Sequence, residues 1–569
     1  MSGKRVATSF LAAAMAVGTL SSAAFAENGT VDPADLNWEK PEETINISVY
    51  AGEGDQEEFL ADENGGKAVM DEWLLENLNV TFDWQYMTGD MTERLNLMLA
   101  DNSYPSVITN MPDDMAEKFI AQGKAVDLTK YLDDMPNLTR RMGDYINMLK
   151  DDEGHIYKLS TLWGENPNVA GLDFGVRWDY YLELGEEKMY ETPQEYIEVM
   201  KKILANHPTN DAGQTTYAFT SDNQGKSFLN AMLGAYGFVN GYKLNEETGE
   251  FTHWLNTDEG LEIAKLVNQM YREGLIDPDY QSVDYETYIS KLANGQVLGN
   301  FGTWWYAWVG GHQTWAVQEG DDYDKNKRFA NVSVHGEGMS MEDTSLLTSN
   351  YVGSYRMIIT DKATEEEIQG IVKYLNWEAS ELGTFIMGFG APREENVWKI
   401  DDDGTWLFDD EIMNVDTKDT TYHSVKNHYA CEYWVAICGQ WLKSDGRSVF
   451  DKIDPRVDRV SIYDYWPVNE DGSFADEGIN ICWGNYTAPA KDTTMYQTTF
   501  NSRDMIATIK QMVDDTITSS WAEIINSASE EDCIAAFEAA RDNCNAMGLE
   551  ELTDYYENSY KANVEKYEG

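Results

Sequence analysis

Residues 257–308 read TDEGLEIAKLVNQMYREGLIDPDYQSVDYETYISKLANGQVLGNFGTWWYAW. From Thr257 to Glu273 the chain is a long helix-like run; it ends at Gly274 and leads into Leu275-Ile276-Asp277-Pro278-Asp279-Tyr280. A short apolar segment, Val297–Phe301, reads as a strand and opens directly onto Gly302, Thr303, Trp304, Trp305, Tyr306, Ala307 and Trp308. Four aromatics just after a strand is a binding-surface composition, because indole and phenol rings offer wide apolar faces with a polar edge. Core packing is the competing reading. Strand alternation cannot put all four on one side, so one or two belong to the core.

Working outward, Ile45–Tyr50 alternates cleanly as a first strand and ends in the permissive loop Ala51-Gly52-Glu53-Gly54-Asp55. A helix near 65–77, a strand at Val80–Tyr86, a helix at Thr92–Ala100 and a strand at Ser106–Asn110 follow. This β-α-β order predicts a mostly parallel sheet with ligands gathering beyond the carboxyl ends of its strands. Thr192 and Pro193 mark a helix start as N-cap and first residue. Tyr351–Ile359 reads as a returning strand, followed by a helix over Ala363–Glu378, and the chain closes in helical segments near 502–515, 530–546 and 549–566.

Several stretches carry a resemblance. MYREGLIDPDY, then a helix, then a strand ending in GTWW, is similar to the extracellular solute-binding proteins of ABC transporters, of the carbohydrate-binding family 1 type and the Gram-positive LplA-like lipoprotein branch. ERLNLMLAD with Tyr104-Pro105-Ser106-Val107, Gln122–Leu128 and the segment Phe174–Tyr181 continue the same pattern, which covers most of 45–390. The resemblance implies an α/β, two-lobe periplasmic-binding-protein-like fold (type II) with a ligand cleft between hinged lobes. Residues 45–168 and 345–390 would form lobe 1, and residues 169–344 and 391–569 lobe 2. It implies a non-enzymatic monomer that binds an oligosaccharide and passes it to permease subunits. A peptide or another small solute in the same fold, and a secreted glycan-active enzyme, are the alternatives.

In that family the residues after the GTWW strand face the cleft, which makes Trp304, Trp305, Tyr306 and Trp308 the first candidates for stacking on a sugar. Trp163 lies near the expected crossover. Arg177 and Asp179 flank Trp178 at the opening of a lobe 2 helix; they can hydrogen-bond sugar hydroxyls through charged groups or form a structural ion pair. Glu53 and Asp55 can accept hydroxyl hydrogen bonds from a loop loosened by glycines, or simply be solvated. Asn110, Trp483 and Tyr486 follow predicted strands or aromatic turns and complete the candidate set.

Composition narrows the class. Lys4 and Arg5 precede a small and apolar run, and Ala24-Phe25-Ala26 fits a signal-peptidase site, so cleavage after Ala26 and export are expected, followed by a flexible leader at 27–44. No cysteine precedes Cys431, so a lipid-modified cysteine at that site is ruled out. With 42 basic and 100 acidic side chains the net charge is −58, and loss of Lys4 and Arg5 takes it to −60. Such a charge disfavours nucleic acid and anionic lipid as partners. Yet 18 Trp, 33 Tyr and 19 Phe argue for packed cores rather than disorder. Five cysteines are too few for a disulfide scaffold and read as buried thiols. The seven histidines lack zinc spacing, and Asp322-x-Asp324-x-Asn326 fails as a calcium loop at Lys327 and Ser333, so no metal or cofactor is expected. No Gly-x-Ser-x-Gly, His-Glu-x-x-His or phosphate-cradling glycine loop is present, so no catalytic residue is assigned.

Overall fold

The computed structural model describes residues 38–51, 66–86, 90–151, 153–161, 172–186, 188–302, 304–319, 324, 326–353, 355–380, 382–383, 386–387, 398–400, 406–408, 484–485, 491–500 and 504–568. The strands that build its two lobes are, in chain order, β1 (Ile45–Ala51), β2 (Val80–Tyr86), β3 (Val107–Pro112), β4 (Leu159–Ser160), β5 (Asp173–Arg177), β6 (Gly299–Gly302), β7 (Phe329–Val332), β8 (Thr348–Ser349), β9 (Tyr355–Ile359), β10 (Gly484–Asn485) and β11 (Lys491–Asp492). The helices used below are α1 (Pro193–Asn206), α2 (Lys226–Ala235), α3 (Asp258–Arg272), α4 (Glu365–Glu378), α5 (Met505–Ile525), α6 (Glu530–Ala546) and α7 (Leu549–Glu568).

Lobe 1 is built on a sheet of order β2-β1-β3-β9-β4. Its first three strands are parallel, as the β-α-β reading requires, but β9 runs antiparallel to both β3 and β4, so the sheet is mixed. The apolar residues of β1, Ile47 and Val49, share a buried cluster with Leu74, Val107, Ile359, Ile371 and Leu375. Helix α4 starts where Thr364 and Glu367 form a reciprocal capping box, which satisfies two of the free amides of the first turn. Residues 38–44, expected to be a free leader, are instead tied to this lobe: the Trp38 indole donates to the Leu78 carbonyl at 2.9 Å and sits edge-on to Trp377.

Lobe 2 carries a sheet of order β10-β7-β5-β6, with β5 antiparallel to both neighbours. Its core is aromatic. Phe174, Tyr196, Phe219, Phe228 and Phe301 meet with ring centroids 5.0–5.5 Å apart, a geometry worth about 0.5–1.5 kcal/mol per pair beyond area burial. Helices α1 and α3 begin at Thr192 and Thr257, whose hydroxyls accept from Glu195 N and Gly260 N. The C-terminal helices complete the same core through Trp521, Ile525, Phe537 and Leu552. Asn268 of α3 donates to the carbonyls of Ile524, Ile525 and Ser527 and so closes the end of α5. Cys533 and Cys544 are free and buried on α6; Cys431, Cys438 and Cys482 lie outside the described residues.

Between the lobes, β8 and β11 pair in parallel, Thr348 with Lys491 and Ser349 with Asp492. Beside them Tyr145 of lobe 1 stacks on Tyr351 at 4.9 Å, meets Tyr567 of α7 at 4.9 Å, and donates to Asp492 at 2.9 Å. Among the described residues no helix is long and apolar enough to cross a membrane.

Candidate ligand-binding site

In lobe 1 four chain segments converge on one end of the sheet. Ala51, the last residue of β1, pairs with Tyr86 and Thr109, so Asn110 lies just beyond it. Pro112 faces Tyr355, Ser160 faces Arg356, and Thr161 N donates to Tyr355 O at 3.0 Å. Asn110 is 3% exposed and left-handed at φ 51°, a conformation that asparagine tolerates better than most residues. The loop with Glu53 and Asp55 leaves from Ala51 and the segment with Trp163 leaves from Thr161; those three residues lie outside the described ones, as do Trp483 and Tyr486.

Directly below this edge is a charge network that sequence reading missed. Arg356 Nε donates to Asp113 at 2.6 Å, and Lys158 Nζ donates to Asp113 at 2.7 Å and to Glu117 at 2.5 Å. Arg356 Nη1 also reaches the carbonyls of Val352, Gly353 and Tyr355. Burial pushes Asp113 up, but the charges and hydrogen bonds of Arg356 and Lys158 outweigh it and hold the carboxyl below the usual carboxylate range. These basic groups are 45 and 243 residues from Asp113 in sequence, so no local pattern announces them.

In lobe 2 the register decides which residues belong together. Asp173 pairs with Gly302 and Val176 with Gly299. The Asp173–Gly302 end is where the chain enters β5 and leaves β10, because Asn485 pairs with Val332 at that end of β7. Gly302 opens there onto Trp304–Ala307, which is helical, and the chain turns through Trp308–Gln313, kinked at Gly311 (φ −114°, ψ −114°), into the helix Thr314–Glu319. The aromatic run therefore begins a helix rather than prolonging a strand, and strand alternation does not govern it. Tyr306 donates to Asp222 at 2.7 Å and packs edge-on against Tyr285 and Tyr288 at 5.1 and 5.2 Å. Burial, then the Asp222 hydrogen bond, push its phenol well above the ordinary range.

Arg177, Trp178 and Asp179 sit at the opposite end of that sheet, and this corrects their grouping with the aromatics. Arg177 makes a two-pronged ion pair with Asp179 at 2.9 and 2.5 Å, its guanidinium lying 4.2 Å from the Tyr180 ring and 4.6 Å from the Trp315 ring. Trp178 is fully buried and stacks on Tyr181 at 5.5 Å. Of the two roles that the Arg-x-Asp spacing allows, the geometry has the ion pair, with both charges committed to each other. A separate hollow of about 780 Å³ lies near Thr44, Asp134, Thr364 and Lys373, where β1 begins, at the far end of lobe 1 from Asn110.

This chain has the two-lobe α/β fold of the type II solute-binding proteins. The fructooligosaccharide-binding protein FusA of Streptococcus pneumoniae, solved in complex with kestose, superposes with a TM-score of 0.60 at 16% identity over 91% of this chain and 99% of the other. An extracellular solute-binding protein from Bifidobacterium longum subsp. infantis superposes with a TM-score of 0.61 at 16% identity, over 93% and 100%. In sequence, the fructooligosaccharide ABC transporter substrate-binding protein FusA of S. pneumoniae serotype 4 is 24% identical over 246 residues, 41% of this chain and 45% of that protein. The match thus spans less than half of that relative's length. No family model matches.

Proposed function

We propose that this protein is the extracellular substrate-binding component of an ABC importer, capturing an oligosaccharide between its lobes and delivering it unchanged to the permease. The observation that carries the reading is the position of the aromatic run: Gly302 ends its strand at the end of the lobe 2 sheet where the chain enters β5 and leaves β10, and Trp304 and Trp305 begin the helix that follows. In lobe 1 the sheet edge ends in Ala51, Asn110 and Thr161, with polar residues in the segments that follow. Stacking on sugar C–H faces supplies affinity, and amides and carboxylates set orientation. Lobe 1 comprises 45–168 with 345–390, lobe 2 comprises 169–344 with 391–569, and closure about the β8–β11 joint presents the liganded form to the permease. The FusA relative, by its name a fructooligosaccharide-binding protein, supports the carbohydrate class. Export by the signal peptide and a monomeric, non-enzymatic protein complete the proposal.

The test is thermal unfolding of residues 27–569 against kestose, nystose, other mono- and oligosaccharides, and short peptides. A ligand present at 100 times its dissociation constant stabilises the fold by about 2.7 kcal/mol. A shift with one glycan family, with the glycan recovered intact, is the expected result. A shift with peptides alone, or release of glycan products, overturns the assignment.

A further inference from the structure

The segment Thr220–Gly225 runs to the same end of lobe 2 as Gly302. Tyr217 and Phe219 bridge in parallel to Val297 and Ile276, so this segment and the strand leading to Gly302 point the same way. Beyond it, three consecutive residues are left-handed: Asn223 at φ 49°, Gln224 at φ 61° and ψ 35°, and Gly225 at φ 86°. Left-handed residues occur singly as a rule, because Cβ crowds the following carbonyl at about 1–2 kcal/mol per residue, a cost that glycine escapes and asparagine partly offsets, so the strain falls chiefly on Gln224. Asn223 and Gln224 are nevertheless exposed, so core packing does not explain why side chains are kept where glycines would be free of strain.

The loop is held from below. The Trp521 indole donates to Gly225 O at 3.0 Å, and a Cβ on Gly225 would stand only 3.0 Å from Ile525 Cδ1 and 3.1 Å from Tyr280 Cε2. Ser221 and Ser227 share a hydroxyl hydrogen bond at 2.5 Å, Thr220 donates to the buried Asp277, and Tyr306 holds Asp222. Tyr306 follows Trp304 and Trp305 in the same helix, which ties the loop to the aromatic run. A surface segment fixed this firmly in a costly conformation, at the rim of a candidate cleft, has the character of a ligand clamp.

We infer that Asn223 and Gln224 form a polar clamp for the glycan, their amides donating to and accepting from sugar hydroxyls while the aromatic run stacks on the ring. This rests on the oligosaccharide-binding reading and adds two specificity-determining residues to it. An amide offers two donors and two acceptor lone pairs and so matches vicinal hydroxyls.

Kestose and the remaining oligosaccharides of the thermal panel serve as probes, with affinities measured by titration calorimetry on wild type, Asn223→Ala and Gln224→Ala. Each substitution is expected to weaken binding about tenfold without changing the melting temperature by more than a degree or so. Gln224→Gly, which frees the backbone, is expected to raise the melting temperature by about 2 °C while losing affinity as Gln224→Ala does. Wild type that binds while both alanine variants stay within threefold of it overturns the clamp and leaves the function intact. Wild type that binds no glycan overturns both, and the variants are not needed to see it.

Discussion

The two rims of the proposed cleft use opposite chemistry. On lobe 1 the described charged groups beside β3 and β9 are spent on one another: Asp113 is held by Arg356 and Lys158, and Arg356 also fastens three carbonyls of the segment that leads into β9. On lobe 2 the carboxylate of Asp222 accepts from Tyr306, while Asn223 and Gln224 stand exposed above a braced loop. The described charges of lobe 1 are thus committed to its own fold, whereas lobe 2 presents exposed amides. Breaking a buried ion network leaves an uncompensated charge, whereas exposed amides can exchange water for a ligand's hydroxyls.

The largest effect expected from breaking this contrast is at Arg356. Arg356→Met leaves Asp113 with one cation and abandons three carbonyls, and should destabilise the protein by about 3–5 kcal/mol; denaturant unfolding measures it. A loss below 1 kcal/mol would show that the network is peripheral to lobe 1.

Acid should separate the lobes next. His253 of lobe 2 accepts from Leu255 N and packs against Tyr242 at 5.0 Å, and burial pushes its imidazole down to about 3. The unfolded chain therefore binds a proton that the native state refuses, so stability falls as the pH drops below about 6.5, by about 1.4 kcal/mol per pH unit. Asp113 behaves differently: its depressed value means that its contribution is complete above the ordinary carboxylate pKa and disappears only below about pH 4. Unfolding curves between pH 7 and 4 should show the slope in wild type and a flatter one in His253→Gln; equal slopes would remove His253 from the account.

The smallest effect concerns the aromatic run itself. Trp304→Ala and Trp305→Ala are each to be titrated with the glycan that wild type binds, and at least one should weaken binding tenfold, or about 1.4 kcal/mol. If neither does, the stacking platform lies elsewhere and the amide rim of lobe 2 carries recognition without it.

One helix start was legible from a short polar side chain, Thr192, which caps as its position before Pro193 suggests; Thr257 and Thr364, read as part of their helices, are in fact the N-caps. Helix ends were less so. The run near 502–515 extends to Ile525, through the polar stretch Asp514–Ser520, because Trp521, Ile524 and Ile525 bury themselves in the lobe 2 core, and packing outweighs weak local propensity. Trp304–Ala307 is helical although its aromatics favour strands, so local propensity did not decide it. The left-handed run at 223–225 left only the faint trace of an Asn-Gln-Gly turn composition.

Local chemistry along the chain determined the order of strands and helices, the caps, the aromatic segment after the strand and the resemblance that pointed to two lobes. Tertiary structure alone decided that β5 runs antiparallel to β6, which sends Arg177 away from Gly302, and that Asp113, Lys158 and Arg356 meet. The reason is physical. Caps and periodicity act over a few residues, whereas strand register and ion pairing depend on partners tens to hundreds of residues away, which no local pattern encodes.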